Sequence, residues 1–591
     1  MSEVAPFPHA GAAATVHTVG FYPPFARVVA LQAKSQLITP RSAAAQWIMI
    51  LLVAALLAAG CALPVVTVPG TASPAVGGDS SGQSFPSSGM IDLTLTADRG
   101  AADDDVVSLG VPFPPGALRD EKQVSVLDPA GTAVAIHTRA LARWPADDTV
   151  RSVLVAFRAT LDAGASQKWT VEYGRSPRGG DAGSLEPNPD GPVIATLAAR
   201  HYGASRVSGV ILPEADNQKF KAYDDQIAGS GTERPLQDYG LVCSGGAEHR
   251  TYYDGTHALY QRGLRSGDPA ELRAAHDEAV WYRENELEWV DADRTVAITK
   301  CEAEESGQPG WTPETRPLDW STIRMMSGQG SLDDYLVTGD PAARQALAGF
   351  GEAYMRNLPL LEQGTLEITE RNLGWPIMGV VSYYAIDPSE RVRAAADSLV
   401  TRAFDWQARG SSGALEHDIN RPDPDECYGG DEDPSAGPRG ASPFMTSLVV
   451  DGVMDWWLLT NDPRVTPFLD KLARWYERDA ITTDRKAFQY LWGCEKYQYD
   501  PGGPPIPQPD GTPNATGDPD GFTSPELNIL IAHVFGAAAV VTRDRHWIDF
   551  GDSMAEPAME YMYVGTPKAW NQQNRSFGRY LGYRVLVGAA P

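Results

Sequence analysis

The strongest constraint on this chain is a turn that recurs along it. SGDP (Ser266 to Pro269), TGDP (Thr338 to Pro341), AIDP (Ala385 to Pro388), TNDP (Thr460 to Pro463) and TRDR (Thr542 to Arg545) each follow an aromatic-rich apolar stretch with helical spacing and precede a more polar one. In every unit the Asp can cap the second helix, and a following Pro suits the first helical turn, where a missing N–H costs nothing. The pattern is an internal repeat of helical hairpins. One hairpin cannot bury its apolar helix alone. The closed solution is an (α/α)-toroid of five or six hairpins over residues 241–591, with NRSFGRYLGYRVLVG (Asn574 to Gly588) supplying a further helix.

Ahead of the repeat the period drops to two. Ile91, Leu93 and Leu95 alternate with Asp92, Thr94 and Thr96, and QVSVLD, SVLVAF and KWTVEYG follow, separated by Pro, Gly and Asp clusters. Alternation puts every second side chain on one face, so residues 91–175 predict the strands of a small barrel or sandwich. Residues 176–240 read as a linker and mixed region. The expected fold class is multidomain β + α, a small β domain followed by the toroid.

The first 60 residues read as a signal region. WIMILLVAALLAAG (Trp47 to Gly60) follows Arg41 and ends at Cys61, which is short for a membrane span of about 20 residues. It resembles a bacterial lipoprotein signal, in which Cys61 becomes the lipidated N-terminus, so the expected location is exported and membrane-anchored. Residues 61–90, rich in Pro, Gly, Ser and Thr, then form a flexible tether. Cys243, Cys301, Cys427 and Cys494 remain, an even number that allows two disulfides; chain order pairs Cys243 with Cys301 and Cys427 with Cys494. No CxxC or HExxH spacing marks a zinc site.

Two stretches of the β region carry a family likeness. GVPFPPGAL (Gly110 to Leu118) and LARWPADDTVRSVLVAF (Leu141 to Phe157) resemble the N-terminal RIFT-type β-barrel of a polysaccharide lyase family that contains rhamnogalacturonan exolyases. Asp147, Asp148 and Ser152 depart from the family's RWPDGSxRWV pattern. The resemblance implies a RIFT-type barrel and cleavage of uronate-containing, pectin-like glycans by β-elimination.

Composition narrows the partners. Lys and Arg number 49 against 76 Asp and Glu, a net charge of −27 that repels polyphosphate backbones and excludes nucleic acid as a partner. The 15 Trp and 22 Tyr suit stacking on sugar rings, although most such rings in any protein are core.

Because each tight turn joins the first helix of a hairpin to the second, the long connections open on the opposite face, and that face is the expected cleft. Those connections hold the candidate residues. Arg371 and Arg421 can clamp a uronate carboxylate, with Arg250, Asn372 and Glu426 as further substrate contacts. His249, His417, Tyr253 and Tyr428 are candidate bases or acids, and Trp375 is either a sugar platform or core. Tyr252 and Tyr253 equally suit packing at a helix entry. Asp423, Asp425 and Glu426 can bind Ca²⁺, although the spacing misses the EF-hand pattern and a solvated acidic loop explains them as well; no cofactor is required. A pair such as Asp425 or Glu426 facing Asp254 or Glu526 would instead suit a glycoside hydrolase. A third reading is a non-catalytic, monomeric, glycan-binding lipoprotein.

Overall fold

The computed structural model describes residues 85–229, 250–299, 326, 328–359, 369–418, 439–482, 485–493 and 525–590, all within the unit Ser73–Pro591. Strands β1 (Gly89–Thr96), β3 (Val124–Leu127), β6 (Ser166–Tyr173) and β7 (Ile194–Leu197) form one antiparallel sheet in the order β3-β6-β1-β7. A second antiparallel sheet runs β2-β5-β4, from β2 (Ala102–Pro112), β5 (Val150–Leu161) and β4 (Ile136–Arg143). The alternation along β1 carries into the register: Ile91, Leu93 and Leu95 are buried, and Leu93 pairs with Trp169 on one side and Leu197 on the other. β7 lies past residue 175, so the first sheet draws on the stretch read as linker.

Helices follow. α1 (Ala199–Ser205) and α2 (Lys221–Gly229) precede the hairpins α3 (Gly255–Ser266) with α4 (Pro269–Asn285), α5 (Gly328–Thr338) with α6 (Pro341–Arg356), and α7 (Glu370–Tyr384) with α8 (Glu390–Arg409). The series continues with α9 (Pro443–Thr460) and α10 (Val465–Trp475), α11 (Leu527–Thr542) and α12 (His546–Ala558), then α13 (Pro567–Asn574) and α14 (Phe577–Leu586). Short strand pairs β8 (Leu287–Trp289) with β9 (Ala297–Thr299), and β10 (His417–Asp418) with β11 (Arg439–Gly440), sit in the connections.

The first helices pack in sequence: α3 on α5, α5 on α7, α7 on α9, α9 on α11, α11 on α14, and α13 and α14 on α3. This circuit explains their composition, since nearly every residue of α9 and of α11 up to Ala539 is buried, as a helix apolar all round requires. The second helices bury one face only: α8 covers Val392, Ala396, Leu399, Val400 and Ala403 and leaves its charged residues outside. Among the described residues no helix is long and apolar enough to cross a membrane.

All five recurring Asp side chains accept the backbone N–H two residues on: Asp268 from Ala270 (2.7 Å), Asp340 from Ala342 (2.8 Å), Asp387 from Ser389 (3.2 Å), Asp462 from Arg464 (2.9 Å) and Asp544 from His546 (3.0 Å). Only Asp268 and Asp340 stand at the N-cap itself with Pro in the first turn. In the other three the helix starts two or three residues later, so the Asp closes a turn ahead of the helix rather than capping it.

The two motifs that carry the family likeness meet α5. A Cβ on Gly110 would stand 2.0 Å from the Leu336 carbonyl oxygen, so only glycine permits this approach. Ser152 donates to that same oxygen at 2.7 Å, and Tyr335 donates to the Leu141 carbonyl at 3.1 Å. Trp144 is buried and donates to the Phe113 carbonyl at 2.9 Å, joining the two motifs to each other.

Candidate active site

The segment ahead of α3 turns a strained corner. Tyr253 and Asp254 both adopt left-handed backbone conformations (φ 66° and 58°), a costly arrangement for two consecutive non-glycine residues that persists only where surroundings enforce it. The surroundings are explicit. Asp254 accepts from the N–H of His257 and the N–H of Gly330, each at 3.0 Å, binding the corner to α3 and α5. Asn571 donates to the carbonyls of Arg250 (2.8 Å) and Tyr252 (2.9 Å), and Arg575 donates to that of Tyr253 (2.9 Å).

Beside this corner lies the first turn of α7. Arg371, half-buried, donates through Nη1 to the Tyr252 hydroxyl at 3.3 Å, and the Lys568 ammonium lies 5.0 Å from the centre of the Tyr252 ring. Tyr252 and Tyr253 rings are 4.5 Å apart, and Tyr253 packs 6.5 Å from Trp375. Burial, reinforced by the neighbouring Tyr252, pushes the Tyr253 phenol well above its usual range. Glu370 is buried; its Oε1 accepts from the Ser442 N–H at 2.7 Å and its Oε2 is 3.4 Å from His417 Nδ1. His417 therefore reaches the residue next to Arg371.

Three buried polar atoms on this turn have no partner among the described residues: Thr369 Oγ1, Asn372 Oδ1 and Trp375 Nε1. Buried polar groups normally find partners, and these three are left to water or to a ligand. Pro376, inside α7, also cannot donate to the Asn372 carbonyl, which a helical residue there would do. Tyr561 and Tyr563, each 55% exposed, project from the connection between α12 and α13, shortly before Lys568.

The remaining sequence candidates separate. Arg250 points inward: its guanidinium bonds Glu278 at 2.8 and 3.0 Å through Nε and stacks 3.6 Å from the Trp281 ring, so it holds structure rather than facing a cleft. Trp375 is buried, with the Arg575 guanidinium 5.0 Å from its ring, which places the indole in the packing while its N–H remains unpartnered. Asp254 spends both carboxylate oxygens on backbone N–H groups, so it is a structural cap rather than half of a hydrolytic pair. His249, Arg421, Asp423, Asp425, Glu426 and Tyr428 lie outside the described residues, as do Cys61 and the four other cysteines.

One cluster has metal-like geometry. His276, Asp334 and Asp340 converge closely enough to share a cation. Arg283 already fills that role, donating to Asp334 at 2.6 Å and to Asp340 at 2.5 Å. Burial disfavours a charged His276, but the Asp334 carboxylate and hydrogen bonds to Asp190 and Asp334 outweigh it and raise its pKa to about 9. Two cations are therefore built in, and a metal does not fit.

Sequence reasoning missed a buried ionic network inside the circuit. Asp451 and Asp455, one turn apart on α9, face Arg575, which ends α13, and Arg579 in the first turn of α14: Arg575 Nε is 3.3 Å from Asp451, and Arg579 Nη1 is 3.4 Å from Asp451 and 3.0 Å from Asp455. Gln329 of α5 links both pairs, accepting from Arg575 (2.7 Å) and donating to Asp455 (2.8 Å). The available signal was two acids and two arginines at matching i, i+4 spacing in otherwise apolar helices.

No model of a known protein family matches the chain, and no curated protein matches it.

Proposed function

We propose that this protein is a carbohydrate-active enzyme of the cell envelope, anchored through Cys61, in which the β sheets are a RIFT-type barrel and the helical circuit is an (α/α)-toroid. Its reaction is β-elimination on uronate-containing, pectin-like polysaccharides. The observation that carries this reading is the cluster at the start of α7: Arg371 on the Tyr252 hydroxyl, with Thr369, Asn372 and Trp375 offering unpartnered polar atoms beside it. In this mechanism the Arg371 guanidinium neutralises the uronate carboxylate and so acidifies the C5 proton. Tyr252, whose oxygen accepts from Arg371 and whose ring lies 5.0 Å from the Lys568 ammonium, takes that proton in this reaction. The C4–O bond then breaks, a 4,5 double bond forms, and His417 returns a proton to the leaving oxygen. Tyr561 and Tyr563 supply exposed rings for neighbouring sugars. No cofactor is required for this chemistry.

The test is incubation of the full chain with a panel of pectic and other uronate glycans while following the near-UV absorbance of an unsaturated uronate. Absorbance that Arg371→Ala abolishes supports the lyase. New reducing ends without absorbance would replace it with hydrolysis, and affinity without turnover would replace it with a binding module.

A further inference from the structure

Beside β5, where the C-terminal parts of α7 and α9 end, a cavity of about 20 Å³ lies among Trp144, Arg151, Ser208, Asp333, Asp455 and Arg579. That is room for one water molecule or one small ion. Its lining is buried except at Arg206 and Asp455, which keep some exposure and give access from solvent. Arg151 is the unusual member. It is 6% exposed, donates only to the Val207 carbonyl (3.2 Å), and lies 4.8 Å from the Trp144 ring centre. Its Nε has no partner, and it forms no ion pair among the described residues. The Nε of Arg579, another lining residue, is likewise unpartnered and buried.

The neighbouring charges are otherwise matched. Arg575 and Arg579 answer Asp451 and Asp455, two cations for two anions. Asp333 bonds His257 (2.7 Å) and Ser208 (3.0 Å), and burial pushes its carboxyl well above the usual range. Burial holds His257 neutral as well. Burial disfavours the Arg151 charge, and Asp455 and Asp333 favour it without either coming into ion-pair contact; with Arg206 and Arg579 the lining carries three guanidinium groups against two carboxyls, an excess of positive charge that an anion offsets. Water could satisfy the two N–H groups but would leave the charge unanswered, and a sugar carboxylate exceeds the space.

We infer that this cavity binds a small monovalent anion of chloride size, held between Arg151 Nε and Arg579 Nε where the β sheets meet the helical circuit. The anion joins β5 to α14 through charge-assisted hydrogen bonds, so it stabilises the contact between the two parts of the fold. This site is independent of the proposed activity.

Bromide is the probe. Crystals of the full chain soaked in sodium bromide should show an anomalous peak at hydrogen-bonding distance from both Nε atoms. Thermal unfolding in sodium chloride should show a saturable rise in midpoint relative to sodium gluconate at equal ionic strength, and Arg151→Gln should lose it. Should that variant fail to fold, the bromide peak in the unaltered protein decides by itself. Density with no anomalous signal, meaning water alone, overturns the site, as does an equal chloride response in Arg151→Gln.

Discussion

Arg371 donates to the hydroxyl of Tyr252 across 3.3 Å, tying the first turn of α7 to the strained corner that opens α3. In the proposed reaction this pair is the chemical centre. Arg371→Ala and Tyr252→Phe should each fold normally and lose about a hundredfold in kcat, the usual effect of removing a preorganised contact to developing charge. Steady-state rates on the best glycan from the panel check this, with His137→Ala in the β sheet as a control. Unchanged kcat in both variants would move the site elsewhere.

Tyr561 and Tyr563 are exposed and anchor no described contact across the fold, so their loss should leave stability alone. If they carry sugar rings, the double replacement by Ala should raise KM while kcat stays within about twofold, because uniform binding energy is removed. An unaltered KM would mean that the exposed rings do not touch substrate.

Gly110 approaches α5 so closely that a methyl group would meet the Leu336 carbonyl at 2.0 Å. Gly110→Ala should therefore cost about 1–3 kcal/mol through forced separation of β2 from α5. Denaturant titration reads the loss. A neutral result would show that the sheets and α5 can part without penalty.

Asp268 is the cleanest of the repeated caps, since it is exposed and serves only the first turn of α4. Asp268→Ala should destabilise by about 1 kcal/mol, and Asp268→Asn by much less, because the amide oxygen can still accept. Asp340→Ala should cost more, as it also removes one of the two carboxylates that Arg283 bonds, leaving Asp334 alone to answer it.

Stability should depend on pH with a definite sign. Burial raises Glu278 and Glu286 from 4.5 to about 7, offset in part by Arg250 and Thr251 respectively. The folded state therefore binds more protons than the unfolded chain between those values, and this contribution, full below 4.5, is lost as pH rises through 7. His276, raised from 6.5 to about 9, contributes below 6.5 and loses that contribution as pH rises through 9. Asp334 works in the opposite sense: burial opposes its charge, His276 and Arg283 outweigh it, and its pKa of about 2 makes its contribution disappear as pH falls from 3.8. The unfolding midpoint should peak in mildly acid solution and decline toward pH 9. Glu286→Gln should flatten the decline below pH 7; an unchanged slope would assign it to other groups.

The hairpins were legible because their information is local. An Asp that accepts the N–H two residues on, after an apolar helix, needs nothing beyond a few neighbouring residues, and all five repeats carry that bond. The strands of the β region were legible for the same reason, since alternation at Ile91, Leu93 and Leu95 fixes which face is buried. Where the helices start after Asp387, Asp462 and Asp544 was not, because the cap geometry depends on how each turn is packed.

The sequence by itself therefore determined the alternation of helices, the Asp turns between them, the strand faces and the strongly negative net charge. Tertiary structure alone decided the roles of the polar residues. Arg250 and Arg371, a candidate substrate contact and a candidate clamp from stretches read as connections, part ways because one is locked between Glu278 and Trp281 while the other meets Tyr252. Asp254 looks like any loop acid until Gly330, from another hairpin, donates to it. Arg151 reads as one more strand residue until burial removes its water and leaves its Nε without a partner. Propensity and periodicity act over a few residues, whereas desolvation and ion pairing act between residues that only the closed circuit of helices brings together.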